Sequence, residues 1–188
     1  MYINLPNSQR IVLQTPVMSS PFGVSTYDDA SDGKRSYSLD ASFKGYDTNA
    51  KLNGFLTKCR AFDELLIETA AQNSKAWFGK EMSKDMIAVL FRKSIRDASD
   101  PKYAPTLRLK ITPTTEYYDE HQNRVSMDYI TKGTSFRAIV ELSSVFFVNK
   151  QFGVTWRIVQ LAVTSRPDRL TGFAFQGDDD EGDDVMTD

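Results

Sequence analysis

Apolar and polar positions change period three times along this chain. Arg10 to Val17 reads as a first strand, closed by Pro16 and the turn-prone loop Ser19-Ser20-Pro21-Phe22-Gly23, and Asp28 to Lys34 is a polar turn. From Tyr37 to Phe43 the pattern alternates, with Tyr37, Leu39, Ala41 and Phe43 on one side, as a half-buried strand requires. The period then lengthens. Leu52, Phe55, Leu56, Cys59, Phe62, Leu66 and Ala70 recur at intervals of three and four, predicting one long helix that Thr48 or Asn49 can cap. A second helix is expected from Ser83 to Ile95, with Met86, Ile87, Leu90 and Phe91 on its apolar face and Asp100-Pro101 beyond it. After Pro105 the period of two returns. Leu107, Leu109 and Ile111 face in and Arg108 and Lys110 face out; Tyr117 to Asn123 forms an excursion or hairpin; Gly133 to Val148 and Val154 to Ser165 make a long hairpin across Asn149 to Gly153. Strands, a helical insertion and more strands predict a mainly β fold with a small closed barrel rather than a βαβ sheet.

Composition adds one feature. The chain has 188 residues, 40% hydrophobic and 26% charged, which suits one globular domain with a core. Of its 25 acids, seven lie in the last eleven residues, where no base occurs, so the remainder holds 23 cations against 18 acids. Asp178, Asp179, Asp180, Glu181, Asp183 and Asp184 form the dense part of this run. Such a segment repels itself and stays solvated. The expected organisation is a domain over residues 1–170, with the insertion at about 48–98, and a disordered acidic tail over 171–188. No secretory signal and no apolar run long enough for a bilayer is visible, and the single cysteine excludes an intrachain disulfide, so a soluble intracellular protein is expected.

Catalytic chemistry finds little support. The one histidine, His121, lies in a polar stretch, and Cys59 falls on the apolar stripe of a helix; zinc patterns, phosphate-binding loops and dinucleotide fingerprints are missing. No enzyme, metal or cofactor is expected. Single-stranded nucleic acid needs cations for phosphates and open rings for bases. Arg108 and Lys110 project from one face of a strand roughly 7 Å apart, close to the phosphate spacing of an extended single strand. Arg137 and Arg157 lie on the two arms of the long hairpin, and Lys132, Lys150 and Arg124 near its ends. Tyr117, Tyr118, Phe147 and Trp156 are interleaved with them. Outward cations on an alternating strand more commonly form just a solvated face, and rings such as Phe146, Phe147 and Trp156 more commonly belong to a core; the reading rests on their coexistence with the acidic tail.

Gly133 to Val163, with Val145-Phe146-Phe147-Val148-Asn149, then Phe152-Gly153-Val154-Thr155-Trp156 and Val159-Gln160, resembles the single-stranded-DNA-binding proteins of podophages and large nucleocytoplasmic DNA viruses. Trp77-Phe78-Gly79-Lys80 and Ser83 to Ile95 resemble the insertion of the giant-virus branch, and the acidic ending fits the same pattern. The resemblance implies an OB-fold-like five-stranded barrel without enzymatic activity, coating single strands during viral DNA replication, recombination or repair, in the host nucleus or a cytoplasmic viral factory. It implies DNA contacts at Arg108 and Lys110, a tail that recruits polymerase or helicase/primase, and a possible homodimer. One departure is plain: phage relatives end in an aromatic residue, whereas this chain ends Val185-Met186-Thr187-Asp188. The alternative is a virion or interaction component with an acidic docking tail and no DNA affinity.

Overall fold

The computed structural model describes residues 10–28 and 33–167. The acidic run and the expected domain boundary near residue 170 lie outside them.

Eleven strands, three α-helices and a short 3-10 helix at Met127–Tyr129 follow one another in the described residues. The strands and α-helices are β1 (Val12–Gln14), β2 (Met18–Ser19), β3 (Val24–Asp28), β4 (Arg35–Ser42), α1 (Ala50–Gln72), α2 (Ser74–Phe78), α3 (Lys84–Leu90), β5 (Phe91–Arg92), β6 (Ile95–Arg96), β7 (Thr106–Ile111), β8 (Glu116–Tyr118), β9 (Arg124–Val125), β10 (Ser135–Val148) and β11 (Gln151–Ser165). Pairing runs β10 to β2 to β4 to β7 to β11, and β11 returns to β10. That ring of five strands is the closed barrel that the order of elements predicts, and it is OB-fold-like, as the family resemblance implies.

The first expected strand is shorter, Val12–Gln14, and a second short strand, Met18–Ser19, follows it at the start of the expected loop. Pro16 offers no amide to a ladder, and Thr15 bridges the break. Its amide donates to the Ala138 carbonyl at 2.8 Å, and its hydroxyl accepts from the Ala138 amide at 3.0 Å. The chain thus leaves β1 and re-enters the barrel as β2. The strand β3 was not anticipated; it pairs with β4 from Val24↔Leu39 to Asp28↔Arg35. The Asn149 to Gly153 turn contracts to two residues, Asn149 and Lys150, with φ of 51° and 65°. Two left-handed residues are what a tight hairpin turn with the native strand twist demands.

The long helix is as predicted. Asn49 caps it, its side-chain oxygen accepting from the amides of Lys51 and Leu52 at 3.1 Å. The second helix is shorter than expected, ending at Leu90 instead of Ile95, and α2 fills the link between the two. Helices of five and seven residues do not stand alone in water, so packing holds them. Leu52 and Leu56, in the first half of α1, join the barrel core with Leu39, Leu109, Phe136 and Ile158. Ile67 and Ala70, in its second half, share another core with Ile87, Phe91 and Phe152, against which Trp77, Phe78 and Phe147 pack. Phe78 and Phe152 meet edge to face at 5.4 Å, and Phe147 stacks on Phe152 at 5.9 Å. The insertion is therefore fastened to the far end of the β10–β11 hairpin. No described helix is long and apolar enough to cross a membrane.

Candidate nucleic-acid interface

Alternation along β7 creates the site. Leu107, Leu109 and Ile111 point into the barrel, so Thr106, Arg108 and Lys110 line its outer face. The partner strand β4 places Ser42, Asp40 and Ser38 opposite them. Beyond α3, the chain crosses from β11 to β7 as β5 and β6, paired with those strands in turn, and brings Arg92, Lys93 and Arg96 to the same cavity as Arg108 and Lys110.

Two contacts pin that crossing. β5 runs parallel to β11, with Arg92 opposite Gly153. A Cβ at position 153 would fall 2.8 Å from Phe146 Cζ and 2.9 Å from the Arg92 carbonyl oxygen, so only glycine permits the approach. From the other side, Asp63 of α1 accepts the Ser94 amide at 2.9 Å. Asp63 is buried, its second oxygen lacks a hydrogen-bond partner among the described residues, and burial raises its carboxyl pKa.

The result is a groove of roughly 390 Å³. Its walls hold five cations, Arg92, Lys93, Arg96, Arg108 and Lys110, and no acid. Ser36, Ser38 and Thr155 add hydroxyls, and Tyr27, Tyr37, Phe146 and Trp156 add ring surface. Tyr27 is 66% exposed.

The cations are unequal. Arg108 is held by two parallel bonds to Asp40, at 2.9 and 3.0 Å, which raise its pKa. Its charge is largely answered within the protein. Arg92, Lys93, Arg96 and Lys110 have no ion-pair partner among the described residues. Arg96 feels the crowding: burial lowers its pKa first, then the positive charges of Arg108 and Arg92, with Asp40 opposing. Like charges gathered in a low-dielectric cleft focus a positive potential that an anionic ligand relieves.

Of the candidates read from the sequence, Arg108, Lys110 and Trp156 meet in this groove. Trp156 is only 6% exposed and tilts against Phe62 at 5.7 Å, so it forms floor rather than a free stacking face. Tyr117 is 7% exposed in the barrel core, because β8 turns that ring inward. Arg157 is opposite Lys110 in register, yet its guanidinium turns to Glu141 at 2.7 Å. Arg124 pairs with Glu116 at 3.1 Å. Arg137 is exposed on β10 opposite Ala162, outside the groove walls. Lys132 lines an adjoining cavity that shares Tyr37 with the groove, and Lys150 stands at the hairpin tip beside Trp77 and Phe78. The six tail acids fall outside the described residues.

Sequence reasoning missed Arg92, Lys93 and Arg96. Their signal was present as three cations in five residues at the end of an apolar helical face, but a helix read as far as Ile95 leaves no strand there to bring them together. Elsewhere, the His121 amide donates to Asp119 in an exposed turn, and burial pushes the Cys59 thiol up to about 12. A thiol so placed is a poor nucleophile. The described residues contain no cluster of three or more potential metal ligands.

Residues 40–174 match the model of a family of unknown function (DUF5871). Uncharacterized protein L291 of Acanthamoeba polyphaga mimivirus is 25% identical over 171 residues, or 85% of this chain and 27% of that protein. The chain thus spans about a quarter of the length of this curated relative. Among solved structures, gp2.5, a single-stranded DNA binding protein encoded by bacteriophage T7, superposes with a TM-score of 0.58 at 9% identity, covering 88% of this chain and 98% of that one. The single-stranded DNA-binding protein from bacteriophage Enc34, in complex with single-stranded DNA, gives 0.52 at 12% identity, covering 88% and 91%. At such identities the likeness is one of fold.

Proposed function

The chain belongs to the DUF5871 family, and from that premise we propose that it is a sequence-tolerant single-stranded-DNA-binding protein acting in viral DNA replication, recombination or repair. One observation carries the reading: a groove on the outer barrel face with five cations and no acid in its walls, four of those cations lacking an ion-pair partner among the described residues. The fold shared with two phage proteins described as single-stranded-DNA-binding supports the binding, and the mimivirus relative supports only the viral setting.

In this reading Arg92, Lys93, Arg96 and Lys110 neutralise phosphates and release condensed counterions, while Arg108, braced by Asp40, acts as a fixed anchor. Tyr27 offers an open face to bases, which every base can use, so sequence matters little. The serine and threonine hydroxyls bond phosphate or sugar oxygens. Binding alone is the activity, with no covalent step. The acidic run from Asp178 to Asp184 competes for the groove when DNA is absent; once displaced, it recruits replication proteins.

Fluorescence polarisation with labelled oligo-dT tests this. The full chain should bind the single strand in preference to duplex. Deleting residues 177–188 should tighten binding at low salt. Lack of affinity for oligo-dT at low salt, with or without the tail, would overturn the proposal in favour of an interaction component.

A further inference from the structure

The cationic groove does not end at Arg96. That residue also lines a second, larger cavity of roughly 950 Å³, bounded by the loop after β2, the end of β4 with the loop after it, and the loop from β6 to β7. The two cavities share one floor. On β7, Lys110 and Arg108 line the first and Thr106 lines the second, at alternate positions of the same strand face. On β4, Ser38 belongs to the first and Ser42 to the second, opposite Lys110 and Thr106 in register. From Lys110 to Thr106 the track runs about 13 Å by strand rise.

The character of the wall changes along that track. The second cavity is poorer in net charge, since Lys44, Arg96 and Lys102 share it with Asp47 and Asp97. It is richer in open rings: Phe22 is 67% exposed, Tyr103 62% and Tyr46 37%. Tyr103 is also presented firmly. Its amide donates to the Asp100 carbonyl at 3.0 Å, and Asp100 Oδ1 accepts the Lys102 amide at 3.0 Å. Lys102 Nζ, 4.9 Å from the Tyr103 ring centroid, is tied to Asp100 at 2.7 Å. Large apolar rings around an unfilled cavity are costly to leave in water unless something covers them.

We propose that this cavity is the continuation of the single-strand path, a stacking basin in which bases lie on Tyr103 and Phe22 after their phosphates have passed Arg96. This rests on the groove reading above and extends it. The occupant is the same strand, because floor and Arg96 are continuous between the cavities and the mixed charge favours base over phosphate. The phosphate-rich half fixes the strand; the ring-rich half sets how many nucleotides each molecule covers.

The test compares oligo-dT of about 4 and about 12 nucleotides, within the range covered by barrels of this type, on the full chain and on a chain lacking residues 177–188. Tyr103→Ala should weaken binding of the longer oligonucleotide about tenfold and leave the shorter one unchanged, with Tyr103→Trp restoring the difference. Tyr103 is largely exposed, so circular dichroism melts should not move. Equal loss on both lengths, or no loss, overturns the basin. If Tyr103→Ala instead tightens binding in the full chain but not in the shortened one, the tail is the occupant and the proposal fails. A wild-type chain that binds neither length rejects the groove reading itself, a different outcome from a wild type that binds without length-dependent loss.

Discussion

Asp63 shows how one side chain can serve the site at a cost to the fold. It holds the Ser94 amide under the cationic crossing, but burial raises its carboxyl pKa above the ordinary value. The sign follows. A carboxyl whose pKa is higher folded than unfolded favours folding when protonated, so its contribution is fullest at low pH and is lost as pH rises through the raised pKa. Asp63→Asn keeps an oxygen for Ser94 and removes the charge. It should melt above wild type at pH 7, by about 2–4 °C for each kcal/mol recovered, and the gap should close as pH falls toward about 4. Thermal melts between pH 4 and 8 check this; a variant that melts lower at pH 7 contradicts it. The same scale marks what residues reveal in sequence. Arg108 and Lys110 were legible because alternation fixes which way a strand residue faces. The Asp40 partner was not, since pairing depends on which strand lies alongside, and so the most regular cation is the one already neutralised.

Elements place the chemistry, and two of the smallest ones matter most. The strand β5 carries Arg92 to the groove only because Gly153 on β11 has no Cβ. Gly153→Ala would press a methyl against Phe146 and the Arg92 carbonyl. Crowding of this kind costs about 1–3 kcal/mol, and here relief requires moving the cationic crossing. The variant should bind oligo-dT more weakly at temperatures where circular dichroism shows it folded, and should melt lower. Gly54→Ala is the control: space is open there on α1, so helix propensity should raise stability by roughly 0.5–1 kcal/mol without altering affinity. Unchanged affinity in Gly153→Ala would separate the crossing from the site. Long elements were readable from period alone: α1, β7, β10 and β11 fall where the pattern puts them. Two-residue strands such as β5 and β6 carry no period. They exist because neighbouring strands accept them, which is tertiary information, and the apolar face of α3 running into Phe91 made a longer helix the natural reading.

At the scale of the whole molecule, a closed barrel, a helical insertion locked on one hairpin end and a crossing loop together hold cations on a rigid wall. Closure was legible in the order of strands, helical insertion and strands; the position of the groove was not, because it depends on β6 joining β7 after the insertion has folded back. A preorganised track is what lets non-specific binding rest on electrostatics, since the cations need not be gathered when the strand arrives. The salt dependence of affinity reads that property directly. Oligo-dT affinity should be measured across a salt series for wild type, for Arg92→Ala/Lys93→Ala/Arg96→Ala, and for Arg124→Ala, whose cation pairs with Glu116 away from the groove. The triple variant should lose affinity at low salt and its log–log slope should be shallower by about 2, at about 0.7 per phosphate contact, while Arg124→Ala keeps the wild-type slope. A triple variant with wild-type slope and affinity would contradict a binding track through those three residues.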